Sequence, residues 1–185
     1  MQPKGRFATP FFVRCGAVCA AALWAANAAA LPQDDRFASI DGGELALSDW
    51  AGQPILLVNT ASLCAFTAQY EDLQALQDRY EGAGLVVLAV PSDDFAQELG
   101  SNEEVAEFCE LTYGIDMPMT TITSVKGPDA HPVYRWLKDE AGFVPRWNFN
   151  KVLIGRDGDI LDTWGSGARP LSRGVTSAVE AALDG

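Results

Sequence analysis

Histidine occurs once in the 185 residues, at His131, so a metal centre built on imidazole would have almost nothing to work with. Basic residues are also scarce: 13 Lys and Arg stand against 25 Asp and Glu, for a net charge of −12. A surface of that sign repels polyanions, which makes nucleic acid and anionic lipid headgroups poor candidate partners. The four cysteines, Cys15, Cys19, Cys64 and Cys109, include no Cys-x-x-Cys pair, which argues against a zinc knuckle and a dithiol redox motif. No hydrophobic run is long enough to span a bilayer. The run of twelve apolar and glycine residues from Cys15 to Ala26 falls well short of the roughly 20 that a crossing helix needs.

That run has another reading. Lys4, Arg6 and Arg14 form a basic leader ahead of it, and Ala28-Ala29-Ala30 offers the small residues that a signal peptidase reads. Residues 1–30 are therefore expected to be a secretory signal peptide, and the mature protein to be exported, periplasmic or secreted, without stable membrane insertion. Cleavage removes three basic residues and no acids, leaving 10 basic against 25 acidic residues, or −15. The remaining chain, 31–185, is long enough for one domain with a sizeable core and too short for two. Of the cysteines, Cys64 and Cys109 remain, 45 positions apart. In an oxidising compartment they could form a structural bridge.

What is present is organised around Asn59-Thr-Ala-Ser-Leu-Cys64-Ala-Phe-Thr67. Upstream, Pro54 to Val58 is an apolar run suited to a central strand of a covered sheet. Downstream, Thr67 is expected to cap a helix running to about Tyr80, with Glu71 and Asp72 in its first turn. A thiol at such a junction faces a helix N-terminus, whose unpaired N–H groups favour thiolate over thiol. The plainer reading of Cys64 is a small buried apolar residue.

Along the chain, Arg36 to Trp50 alternates around Asp41-Gly42 and predicts a β-hairpin. Leu85 to Val90 is a second apolar run, so strand, helix and strand form a right-handed crossover with parallel strands. The loop beginning Pro91-Ser-Asp-Asp94 leaves the carboxyl end of that strand, where open α/β sheets place their sites. Ser101-Asn-Glu-Glu104 is a capping box opening a helix to about Tyr113, which Gly114 can end. A third helix is expected over Pro132 to Lys138, a hairpin over Lys151–Ile154 and Ile160–Trp164, and a closing helix from Pro170 to about Leu183. Together these describe a thioredoxin-like α/β fold, with a mixed central sheet flanked by helices and an N-terminal β-hairpin.

Val58-Asn-Thr-Ala-Ser-Leu-Cys64-Ala-Phe-Thr-Ala-Gln-Tyr70, Gly100-Ser-Asn-Glu-Glu104, Ala130-His-Pro132 with Tyr134, and Trp147-Asn-Phe149 with Lys151 resemble the glutathione peroxidases. The resemblance runs from about Phe37 to the C-terminus. It is closest to the short members that carry cysteine at the reactive position.

The resemblance implies a peroxidase tetrad of Cys64, Gln97, Trp147 and Asn148, acting on hydrogen peroxide and organic hydroperoxides, lipid ones included. The stretch Pro91-Ser-Asp-Asp-Phe-Ala-Gln-Glu-Leu-Gly100 is one residue shorter than the family's usual pattern around its glutamine. Chemistry gives an independent reason for these residue types. A thiolate that cleaves an O–O bond needs donors near the sulfur and the departing oxygen, and indole and carboxamide N–H groups supply them without adding charge. A carboxylate at the site would oppose thiol ionisation, which draws attention to Asp93 and Asp94. His131 is read as a helix-start residue.

Cys109 falls near the family's resolving cysteine, about one helical position away, and is a candidate for that role. A thioredoxin-like protein is the expected reductant, since glutathione is an anion and no basic cluster flanks Cys64. The family's oligomerisation insert is missing, so a monomer is expected, with no metal or other cofactor. Two other classes use the same fold. One is a non-enzymatic redox sensor or binding module; the other is a thiol-disulfide oxidoreductase or copper-delivery protein, which the absent Cys-x-x-Cys and the single histidine disfavour.

Overall fold

The computed structural model describes Met1, Leu31, Pro32 and residues 35–185. The expected signal peptide lies outside the described residues. Arg36–Ala38 (β1) and Glu44–Ala46 (β2) pair antiparallel across the Asp41-Gly42 turn, where Gly42 takes a φ of 91°. Ile55–Thr60 (β3) and Val86–Pro91 (β4) pair in parallel. Gln69–Tyr80 (α1) makes the crossover between them. Lys151–Ile154 (β5) adds antiparallel to β3, and Ile160–Trp164 (β6) completes a sheet of order β4-β3-β5-β6. The sheet is mixed, as expected from continuous apolar runs in the middle and a hairpin at the edge.

Alternation along the central strands divides the core in two. Leu56 and Val58 of β3 and Val87 and Ala89 of β4 face α1, Asn102–Tyr113 (α2) and Arg173–Asp184 (α4). Ile55, Leu57, Val86 and Leu88 face Pro132–Ala141 (α3) and the N-terminal hairpin. One residue of slip in β3 would exchange these faces, so burial on both sides fixes the register. Among the described residues no helix is long and apolar enough to cross a membrane.

Two helix starts differ from the sequence reading. Thr67 does not cap α1, which begins at Gln69 with no side-chain cap. Residues 62–68 instead wind through successive turns, with Thr67 N–H donating to Cys64 O (3.2 Å), Gln69 N–H to Phe66 O (2.9 Å) and Tyr70 N–H to Thr67 O (2.9 Å). Backbone carbonyls satisfy these donors, so no hydroxyl is required. The closing helix α4 begins at Arg173, three residues after Pro170, with Ser172 as its N-cap.

Candidate active site

Three chain segments converge at the carboxyl ends of β3 and β4. The first is the turn after β3 that bears Cys64, which is 4% exposed. The second follows β4: Gln97 O accepts from Leu63 N–H (2.9 Å), and Glu98 Oε1 accepts from Ser62 N–H (2.9 Å), so this strand of loop holds the two residues ahead of Cys64. The third is Trp147–Asn150, leading into β5. Asn148 Nδ2 donates to Gln97 Oε1 at 3.2 Å, joining the second and third segments directly. Asn148 is fully buried, while Trp147 is 41% exposed and packs against Phe95 with ring centroids 5.4 Å apart.

The four residues of the expected tetrad thus lie on segments bonded to one another, although none of the other three makes a hydrogen bond to Cys64 Sγ. The amides of Gln97 and Asn148 bond each other instead. A carboxamide carries two N–H donors, so Asn148 retains one beyond the bond to Gln97. Asp93 and Asp94 turn their carboxylates to backbone: Asp93 Oδ1 accepts from Glu98 N–H (3.2 Å), and Asp94 Oδ2 accepts from Val125 N–H (2.6 Å) and Lys126 N–H (3.0 Å). They act as loop clasps. His131 caps α3, its Nδ1 accepting from Val133 N–H (3.3 Å) and its Nε2–H donating to Arg36 O (2.8 Å), with its ring stacked on Phe37.

Backbone strain marks the same place. Ala96 (φ 53°) and Phe149 (φ 61°) are the only non-glycine residues with positive φ among those described, and they adjoin Gln97 and Asn148. A bulky residue held there costs of order 1–3 kcal/mol and persists only where its surroundings enforce it. Asn59 supplies much of that enforcement. Its N–H donates to Asn150 O (3.2 Å), its O accepts from Phe149 N–H (2.6 Å), its Nδ2 donates to Trp147 O (3.0 Å) and its Oδ1 accepts from Asn150 N–H (3.1 Å). Sequence reasoning assigned no role to Asn59, Asn150, Ser166 or Gln69. The available signal was a carboxamide ending an otherwise apolar strand.

Cys109 sits on α2, 2% exposed, and burial pushes its thiol up to about 11, with the Glu98 carboxylate acting the same way and Tyr70 in the opposite sense. Cys64 and Cys109 are both free thiols and belong to the same packed cluster as Tyr70. Burial also raises the Glu98 carboxyl. On the outer side of Cys109 lies a cleft of about 450 Å³, floored by Ile40, Ile115 and Met119 and rimmed by Asp41, Glu110 and Asp116.

Comparison with known proteins gives a consistent result. A family model described as glutathione peroxidase matches residues 34–138. The chain is 40% identical over 137 residues to a glutathione peroxidase of Lactococcus lactis, covering 71% of this chain and 87% of that protein. It is 39% identical over 143 residues to a hydroperoxy fatty acid reductase of Synechocystis, covering 71% and 85%. Among solved structures, the apo form of Trgpx superposes with a TM-score of 0.66 at 30% identity, over 86% of this chain and 97% of that one.

Proposed function

Because the chain belongs to the glutathione peroxidase family, we propose that Cys64 is the reacting centre of its activity and that Gln97, Trp147 and Asn148 are the polar groups serving it. The activity is that of a thiol peroxidase, reducing hydroperoxides with electrons from thiols. In the first step the Cys64 thiolate attacks the terminal peroxide oxygen. An S–O bond forms as the O–O bond breaks, and the bonding pair leaves on the alkoxide, which takes up a proton and departs as alcohol. Sulfur is oxidised to the sulfenic acid. Indole and carboxamide N–H groups beside the departing oxygen lower the cost of the developing charge.

The observation that carries this reading is the direct bond between Asn148 and Gln97, whose own carbonyl holds the residue preceding Cys64. Exposed Leu63 and Trp147, with Phe95 beside the indole, border the cysteine turn with apolar surface, which favours organic hydroperoxides with a hydrocarbon portion.

The second half of the cycle is assigned to Cys109. Cys109 gives up its proton and its thiolate sulfur attacks Cys64–SOH; an S–S bond forms as the S–O bond breaks, the departing hydroxide takes the proton and leaves as water, and a thioredoxin-like dithiol then reduces the disulfide. A buried thiol must first be exposed, so local opening of α2 belongs to this step. The carboxylate rim at the Cys109 cleft disfavours anionic glutathione. The protein is further proposed to work as an exported monomer.

The test is steady-state turnover with thioredoxin and its reductase against turnover with glutathione, paired with mass spectrometry after one equivalent of hydroperoxide. Thioredoxin-supported turnover and a product two hydrogens lighter, both lost in Cys109→Ser, are expected. Full thioredoxin turnover by Cys109→Ser would leave Cys109 as a core residue.

A further inference from the structure

Lys151 opens β5 with its side chain fully buried, yet among the described residues it makes no ion pair. Its Nζ donates to Phe149 O and to Gln69 Oε1, each at 2.7 Å. The charge that acts on it is Asp72 on α1, which is itself paired with Arg169 at 2.8 Å. Taking an ammonium out of water is costly, and a methionine would fill similar space without that cost. The two bonds therefore matter for what they join.

They close a ring. Gln69 Nε2 donates to Ser166 O (2.7 Å), Ser166 Oγ donates to Asn148 O (2.6 Å), Asn148 leads to Phe149, and Phe149 O returns to Lys151. Each carbonyl of the Trp147–Phe149 segment is consequently held by a side chain. Asn59 and Asn150 hold the first (3.0 and 2.8 Å), Ser166 the second and Lys151 the third. Lys151 is the charged member, and charge-assisted bonds are the stronger kind. Gln69 is the first residue of α1, directly after the turns that begin at Cys64.

We infer that Lys151 is a positioning residue for the peroxidase reaction: its buried ammonium locks the segment bearing Trp147 and Asn148 to the start of α1, and so to the Cys64 turn. It touches neither sulfur nor peroxide. It acts by fixing the left-handed Phe149, and with it the direction in which the two preceding side chains present their N–H groups. The inference rests on the peroxidase reading, but the two fail separately. Wild type against Cys64→Ser reports on that reading alone, whereas substitutions at Lys151 and Gln69 are compared within an active protein.

The experiment takes the full chain with Lys151→Met, Gln69→Leu and the double substitution. It measures stopped-flow oxidation by cumene hydroperoxide, alkylation of Cys64 by iodoacetamide in a Cys109→Ser background, and thermal melting at pH 7. Lys151→Met should slow peroxide oxidation about ten- to a hundredfold, the scale of a small misplacement of reacting groups, while alkylation, which needs no donor for a leaving oxygen, stays within about twofold. Its melting temperature should stay close to that of wild type, because removal of the buried charge offsets the lost bonds to Phe149 O and Gln69 Oε1. Gln69→Leu should slow the same reaction, and the double variant should be no slower than Lys151→Met. A wild-type peroxide rate in Lys151→Met, a parallel loss in both reactions, or losses that multiply in the double variant would each overturn the inference. Should Lys151→Met fail to fold, Gln69→Leu decides: a peroxide-specific loss supports the lock and an unchanged rate refutes it.

Discussion

Asn59 directs all of its polar groups, main chain and side chain, at residues 147–150. Truncation to alanine would leave the buried Asn150 N–H without its partner and take one of two donors from Trp147 O, at a cost of about 1–3 kcal/mol. Asn59→Ala is expected to lose stability on that scale in urea unfolding and to slow peroxide reduction as well, because Trp147 O loses one of its two donors. Trp147 itself is held by its carbonyl while its half-exposed ring is constrained mainly by Phe95. Trp147→Phe keeps the ring contact and removes one N–H donor, so peroxide reduction should fall by about tenfold or more with melting unchanged. An unaltered stopped-flow rate would remove the indole from the chemistry.

At the scale of elements, the clearest signals in the sequence were local ones. Ser101 Oγ does accept from Glu104 N–H (3.2 Å), and Gly114 ends α2 in the left-handed conformation at φ 62°. The reciprocal half of the box is displaced by one residue, with Glu104 Oε2 accepting from Gly100 N–H (3.0 Å) rather than from Ser101. Ser101→Ala should cost about 1 kcal/mol by chemical denaturation while leaving the peroxide rate intact. Apolar runs likewise gave β3 and β4 to within two residues, because burial on both faces requires them.

Thr67 misled because its residue type fits an N-cap, whereas the turns after Cys64 satisfy their donors with backbone carbonyls that no propensity reveals. Cys64 stood out from its place between a strand and a helix, whereas Gln97, Trp147 and Asn148 were candidates only through the family resemblance. Gln97, Asn148 and Cys64 are brought together by pairings between residues 34 or more positions apart, such as Leu63 with Gln97 and Asn59 with Asn150. Periodicity carries no information about such pairs. Lys151 was visible as a lysine in an apolar strand, but its two acceptors were not.

For the molecule as a whole, charge sets two expectations. Burial brings Lys151 down from 10.5 to about 8. Between those values the unfolded chain binds a proton that the folded chain does not, so this group's contribution to stability rises as pH climbs through the window. The difference in unfolding free energy between wild type and Lys151→Met should therefore shift in favour of wild type from pH 8 to 10; a constant difference would mean that Lys151 titrates normally. The acidic excess acts on the partner rather than on the fold. Association with a protein reductant should depend on that partner's basic surface and weaken as salt rises.

Everything proposed for this chain turns on Cys64, set among Gln97, Trp147 and Asn148, as a peroxide-reducing thiol. Stopped-flow oxidation of the reduced protein by cumene hydroperoxide, with Cys64→Ser and Cys109→Ser alongside, tests it most directly. A first phase orders of magnitude faster than that of a free thiol such as glutathione is expected, abolished in Cys64→Ser and retained in Cys109→Ser. A wild-type rate no faster than glutathione's own, or a fast phase that survives Cys64→Ser, would contradict it.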